Sequence, residues 1–270
     1  MQPLNLKQFA PLASNFDPME QERILVEAAN NVPGTLTDYD CPKCKNRGVF
    51  FRLSEDGRRY TVRCDCMPIR ESIRHMEKSG LKNSIRKMSF DTFDAKEPWQ
   101  ITAKQGVEAY ARDGIGWLLL SGQSGCGKTH LCTAVCRQRL LERVPVQYMP
   151  WREEVAKLKA MSLDGENREA LLSKYKKAPL LYIDDLFKTC GDLQGVGRPS
   201  AADVGLAFEL INYRYINNLP TLVSTELLPD ELLQVDQAVA SRILEMAGSH
   251  VYAFNREEGK NYRLRNVVHL

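Results

Sequence analysis

One segment, GQSGCGKT from Gly122 to Thr129, constrains this 270-residue chain more than any other. It fits G-x-x-x-x-G-K-[ST] at every fixed position, directly after the apolar run GWLLLS and before a helix-forming stretch. In that setting the glycines let the main chain wrap phosphates with its N–H groups turned inward, and the following helix adds the positive end of its dipole. Gly122, Ser124, Gly125, Cys126, Gly127, Lys128, Thr129 and His130 are therefore assigned to a nucleotide. Lys128 reaches for the β and γ phosphates, and the Thr129 hydroxyl is offered to Mg²⁺, a hard cation that prefers oxygen. A chance glycine turn is the alternative, and it leaves both flanks unexplained.

Such a loop needs a strand in front and a helix behind. Beyond Trp99, apolar runs alternate with longer amphipathic stretches, the signature of βαβ units around a buried parallel sheet. Strands are predicted near 117–120, 146–149, 180–183, 221–224 and 250–254, and helices between them. One helix is expected to turn Val204, Ala207, Phe208, Ile211 and Tyr215 toward the core. The run LLYIDD ends in Asp184 and Asp185, and carboxylates at the carboxyl end of a strand face the crevice where α/β sheets bind ligands. Asp184 is read as the magnesium partner and Asp185 as the group that orients or deprotonates an attacking water. A solvated acidic turn is the plainer alternative.

The amino-terminal third has a different character. Asp17, Pro18 and Glu20 open a helix expected from Pro18 to Ala29. Cys41 and Cys44 then form one close pair, and Cys64 and Cys66 a second, with 19 residues between the pairs. Gly57 supplies a turn between strands carrying Val49, Phe50, Phe51 and Tyr60, Thr61, Val62, so a hairpin brings the pairs together. Four thiolates suit a closed structural Zn²⁺ site, with unpaired thiols as the alternative. His75 is a possible substitute ligand, read as a helical surface residue. Cys126, Cys132, Cys136 and Cys190 receive no redox or metal role. From Pro68 to Lys87 a basic linker helix follows, with a break expected at Gly80.

Net charge is +3, but residues 41–90 hold thirteen Lys or Arg against five Asp or Glu, a balance of +8, leaving −5 elsewhere. Zinc with four thiolates lowers that local figure to about +6. Lys43, Lys45, Arg47, Arg52, Arg58, Arg59 and Arg63 are interleaved with aromatics, a pattern that suits single-stranded DNA or a protein partner equally. Apolar residues at 43% and charged residues at 26% exclude a disordered chain, and no run of about 20 apolar residues exists to span a membrane. The first residues lack the pattern of a secretory signal, so a cytoplasmic protein is expected.

Taken together, Walker A, Walker B, the strand ending LVSTE and the stretch AVASRILE resemble the AAA+ fold over about residues 88–265. FELINYRY resembles DnaC/DnaI-type replicative helicase loaders and their phage relatives, with IstB-type transposition helper ATPases close by. The resemblance implies an α/β P-loop sheet flanked by helices with a reduced or absent lid. It implies Ser224 and Thr225 at the sensor 1 position, facing the γ-phosphate. It implies Arg242 as an arginine finger acting on a neighbouring subunit, hence self-association, where an isolated arginine would mean a surface ion pair. Phe90 and Phe93 fall where these loaders pack along the adenine, with core packing as the alternative, and Arg263 or Arg265 where a sensor 2 would lie. Asp185 stands where most AAA+ proteins have Glu, which implies slow hydrolysis, stimulated by partner or DNA. The expected layout is an amino-terminal helical segment over 1–40, a Cys₄ zinc ribbon and basic linker helix over 41–87, and the ATPase over 88–270. The implied partners are a replicative ring helicase and single-stranded DNA, the latter touching Lys157 and Lys159 unless these are a solvated helix face. A non-enzymatic zinc-containing nucleotide adaptor is the remaining alternative.

Overall fold

The computed structural model describes residues 17–77, 84–113, 116–188, 199–257 and 260–264. Two compact units emerge, Met1–Arg74 and His75–Leu270.

In the first unit, helix α1 (Pro18–Asn31) begins as its sequence demands: Asp17 accepts from the N–H groups of Met19 and Glu20 at 2.9 and 3.2 Å, and Pro18 occupies the first turn. Strands β1 (Val49–Leu53) and β2 (Arg59–Arg63) pair antiparallel from Val49 opposite Arg63 to Leu53 opposite Arg59. Gly57 takes φ +76° in the turn between them. Asn30 both donates to the Phe51 carbonyl (2.9 Å) and accepts from its N–H (2.8 Å), locking α1 onto the hairpin. The amino-terminal helix and the ribbon thus share one unit, and the division falls inside helix α2 (Cys66–Met76). Many ribbon cations already face carboxylates within the unit: Lys43 with Asp65, Arg58 with Asp56, Arg59 with Glu22 and Arg63 with Glu71. The short helix α3 (Ser84–Lys87) already belongs to the second unit. Gly80 and Cys190 lie outside the described residues, as does the side chain of His75.

The second unit is built on a five-stranded parallel sheet in the order β4-β5-β6-β3-β7. The strands are β3 (Trp117–Gly122), β4 (Val146–Pro150), β5 (Leu180–Asp184), β6 (Thr221–Thr225) and β7 (Val251–Phe254), matching the five apolar runs. Strands β3, β5 and β6 are buried at every residue, which is why they read as unbroken apolar runs rather than alternating ones. Helices α4 (Pro98–Asp113), α5 (Lys128–Leu141), α6 (Trp151–Ala160), α7 (Gly165–Lys176), α8 (Ala201–Ile216), α9 (Pro229–Val235) and α10 (Gln237–Ala247) complete the unit. None of the described helices is long and apolar enough to cross a membrane.

The face that α8 buries differs in part from the one expected. The buried face of α8 is Leu206, Ala207, Leu210, Ile211 and Arg214, while Phe208 is 38% exposed. Val204 and Tyr215 pack partly buried against the same core, so the face is wider than expected, loses only Phe208, and gains Arg214, which is drawn inward. Its guanidinium is fully buried and donates to Thr221 Oγ1 (2.8 Å) and to the carbonyls of Tyr175, Lys176, Ala178 and Pro220 (2.9, 3.0, 3.0 and 2.5 Å). With no carboxylate beside it, burial pushes its pKa down to about 9. Lys157 and Lys159 pair with Glu154 and Asp203, the behaviour of a surface helix face. After β7 a 3₁₀ turn at Tyr262–Leu264 follows among the described residues.

Candidate functional site

The loop between β3 and α5 is shaped by three glycines with positive φ: Gly122 (+100°), Gly125 (+78°) and Gly127 (+102°). A Cβ on Gly122 would strike the Phe254 carbonyl oxygen at 2.0 Å. One on Gly125 would strike Asn261 Oδ1 at 1.9 Å, and one on Gly127 the Phe93 ring at 2.6 Å. Sequence spacing requires glycine at the first and third for the loop itself; the packing adds that neighbouring segments close on all three. Lys128 is 5% exposed, and its ammonium donates to the carbonyls of Gly122 and Gln123, both at 2.7 Å.

Asp184 closes β5 beside this loop and is 8% exposed. Tyr182 and Ser224 donate to its Oδ1 at 2.6 Å each, Tyr148 donates to its Oδ2 at 2.8 Å, and Thr129 reaches Oδ1 at 3.4 Å. Burial and the Asp184 charge push both phenols up, so they stay protonated and serve as donors. The carboxylate is thereby fixed within reach of the hydroxyl on the first turn of α5. A hydroxyl beside an anchored carboxylate, next to a phosphate-type loop, is the oxygen-only donor set that suits Mg²⁺.

These groups open onto a cavity of about 270 Å³. Its lining includes Met88, Phe93 and His130 together with Ser124, Lys128, Thr129, Asp185, Lys188 and Glu226. Phe93 meets His130 edge to face with ring centroids 5.2 Å apart. His130 Nε2 lies 2.9 Å from the Ser89 carbonyl, which can only accept, so that nitrogen carries the proton. Burial pushes the imidazole pKa down, leaving it neutral. Burial first, and the Asp184 charge next, push the Asp185 carboxyl up, against the pull of Lys188. Burial acts in the same sense on Glu226, but Lys188 and the Ser124 hydroxyl outweigh it and hold that carboxyl below its ordinary value.

Of the residues singled out from sequence, Ser124, Gly125, Cys126, Gly127, Lys128, Thr129, His130, Phe93, Asp185 and Arg263 line the cavity. Gly122 and Asp184 stand directly behind it. Phe90 is not among the lining residues. Ser224 faces Asp184, and the Thr225 hydroxyl donates to the Leu186 carbonyl at 2.8 Å, so neither sensor 1 candidate reaches the cavity; Glu226, one residue on, does. Arg242 does not line its own chain's cavity either. It lies on α10, bonded to Asn212 Oδ1 (3.1 Å) and the Ala238 carbonyl (2.8 Å), flanked by the rings of Phe208 and Tyr215. Arg265 lies outside the described residues. Tyr148, Tyr182, Lys188, Glu226 and Tyr262 escaped the sequence reading. Tyr148 and Tyr182 are hidden inside apolar strands, Tyr262 sits in the 3₁₀ turn far along the chain, and only the acidic Glu226 directly after LVST offers a usable signal.

In the first unit the sulfurs of Cys41, Cys44, Cys64 and Cys66 all lie within 4.8 Å of one another, and all four residues are buried. Cys41 and Cys64 are 3.8 Å apart and Cys44 and Cys66 3.6 Å, too far for disulfides. A tetrahedral zinc with Zn–S near 2.3 Å places its sulfurs about 3.8 Å apart, so the set fits that ion. The Gly48 N–H donates to Cys44 Sγ at 3.2 Å and Arg70 Nε to Cys66 Sγ at 3.4 Å, the outer contacts that steady thiolate ligands.

Residues 72–269 match the model of the IstB-like ATP binding protein family. The chain belongs to that family. This IstB-like protein is 33% identical over 242 residues to the phage-like element PBSX protein XkdC of Bacillus subtilis, covering 85% of this chain and 88% of XkdC. It is 23% identical over 166 residues to the replicative helicase loader DnaC of Escherichia coli K12, covering 60% of this chain and 64% of DnaC. A crystal structure of the DnaC helicase loader superposes on 64% of this chain and 98% of its own length with a TM-score of 0.54 at 21% identity, which establishes a shared AAA+ fold. The IstB-like sheet, loop and strand-end carboxylates are thus those of an ATP-binding P-loop domain.

Proposed function

We propose that this protein is an ATP-driven loader that delivers a replicative ring helicase to single-stranded DNA. The observation that carries the reading is the gathering of Lys128, Thr129 and Asp184 at one cavity in a chain similar to a protein named as a replicative helicase loader. Inward N–H groups of the glycine loop and the Lys128 ammonium would hold the phosphates, and Phe93 would pack along the base. Thr129 and Asp184 would hold Mg²⁺, which offsets phosphate charge when bound. Asp185 would hold and orient the attacking water. As the shorter acid, it makes ATP a slow switch more than a fuel, with turnover stimulated by partner or DNA. Arg242 would complete the site of a neighbouring copy, so that assembly and nucleotide state are coupled. The ribbon, with Zn²⁺ in its Cys₄ set, would grip the protein partner, since its cations already face carboxylates within the unit.

A second reading, a transposition helper, is favoured by the family model itself, which is IstB-like. Copurification with candidate ring helicases and transposases, in ATP and in a non-hydrolysable analogue, separates the two. Nucleotide-dependent retention of a helicase is expected; retention of a transposase alone would overturn the loader reading.

A further inference from the structure

Lys188 stands four residues beyond Asp184, in the turn that leaves β5. That turn is held unusually firmly. Asp185 and Phe187 both adopt left-handed backbone, with φ of +57° and +62°, an arrangement costly for residues that carry a Cβ. The cost is met by anchors on every side. The Asp185 N–H donates to Ser224 Oγ (3.1 Å), the Leu186 N–H to the Ser224 carbonyl (2.8 Å), and Thr225 Oγ1 to the Leu186 carbonyl (2.8 Å). Leu186 and Phe187 are buried, the latter edge to face with Trp151 at 5.6 Å. The Lys188 N–H closes the turn onto the Asp185 carbonyl at 2.9 Å. Two residues thus dive into the core while the residues on either side, Asp185 and Lys188, line the cavity.

The Lys188 ammonium lies 2.9 Å from Asp185 Oδ2 and 2.9 Å from Glu226 Oε1. Ser124, Lys128 and Thr129 line the same cavity, Ser124 bonded to Glu226 and Lys128 close enough for its charge to act on that carboxylate. A diphosphate needs only the loop and Lys128. A third phosphate must extend beyond them, toward a wall that, without Lys188, would present two carboxylates. Lys188 is the cation placed to reverse that repulsion, and its side chain, 36% exposed, has the freedom to turn toward the newcomer.

We propose that Lys188 is the residue with which this chain tells a nucleoside triphosphate from a diphosphate, held in place by the Ser224 and Thr225 contacts to its turn. The proposal rests on the ATP-binding reading above. Ser224 and Thr225 then act on the γ-phosphate at one remove, by fixing the segment that carries the contacting ammonium.

The test is calorimetry on zinc-replete protein with Mg²⁺ and either a non-hydrolysable ATP analogue or ADP, for wild type, Lys188→Met and Lys188→Arg. Losing a charge-assisted contact should weaken the analogue about tenfold or more in Lys188→Met, while ADP changes by less than about threefold. Lys188→Arg should restore most of the preference. Equal loss for both nucleotides, or no loss for either, would overturn the proposal. Wild-type protein that binds neither nucleotide would instead sink the ATP-binding reading.

Discussion

The two units reach stability by opposite means. Residues 75–270 bury a continuous apolar cluster that runs from Trp117 and Leu119 on β3 through Ile183 and Val223 to Ile243, enough to fold on hydrophobic burial. The first unit has a hairpin of two five-residue strands, helix α1 packed on it, most of α2, and an interior cluster of four thiols with Tyr39 and Phe50 beside them. Polar clamps add to this: Arg70 is fully buried and bonds Asp38, Asn46 Oδ1 (2.9 Å) and Cys66 Sγ (3.4 Å). The difference teaches that a residue's type says little about its worth until its surroundings are known. Buried cysteines are single packing residues of α5 in the sheet unit, where Cys132 and Cys136 are fully buried, yet four of them together form the core of the ribbon.

The comparison breaks most visibly on metal removal. Chelation, or Cys64→Ser, should abolish the protection of residues 17–74 in hydrogen exchange, since structural zinc contributes on the order of 10 kcal/mol to such modules. The sheet unit should keep its melting temperature within about 2 °C. Cooperative loss of both units, or of neither, would contradict the division.

A smaller but still large effect belongs to the sheet unit alone. Arg214→Met should cost about 3–5 kcal/mol in urea unfolding, because it leaves four main-chain carbonyls at the base of the sheet without their donor. The ribbon should not register it.

Acid should separate the units more gently. Zinc thiolates take up protons readily, so the ribbon fails first on acidification. In the sheet unit, burial raises the Glu209 carboxyl, but Lys176 and Arg168 outweigh it and hold the group below its ordinary value of 4.5. Its contribution is therefore full above that value and disappears as pH falls through the lower folded one. Glu209→Gln should be slightly less stable than wild type at pH 7, and the gap in thermal unfolding should shrink as pH falls below 4.5 and close once it passes the lower folded value.

How much of this was legible in the sequence varies with how local the cause is. The five strands were, because parallel strands covered on both faces become unbroken apolar runs such as WLLL and LLYI. The Asp17 cap, the Gly57 turn and the cysteine pairs were too, each being set by a few adjacent residues. What could not be read were contacts made across long separations. The hydroxyls of Tyr148 and Tyr182 converge on Asp184 from strands that look wholly apolar. The inward turn of Arg214 depends on carbonyls gathered from two other strand starts and a helix end. The sensor 1 expectation for Thr225 failed to reach the cavity because its hydroxyl is satisfied by Leu186, a residue 39 positions away. Which of two adjacent polar residues faces a cavity is decided by the partner strand, and no spacing rule records that.

On the proposed reading, the cavity lined by Lys128 and Thr129, with Asp184 bonded to Thr129 behind it, takes a magnesium–nucleoside triphosphate. Calorimetric titration of zinc-replete protein with Mg²⁺ and ATP, compared with Lys128→Ala, tests it directly. One equivalent should bind to wild type, and the variant should bind at least about tenfold more weakly. Absence of binding to folded wild-type protein, or equal affinity in the variant, would contradict the account.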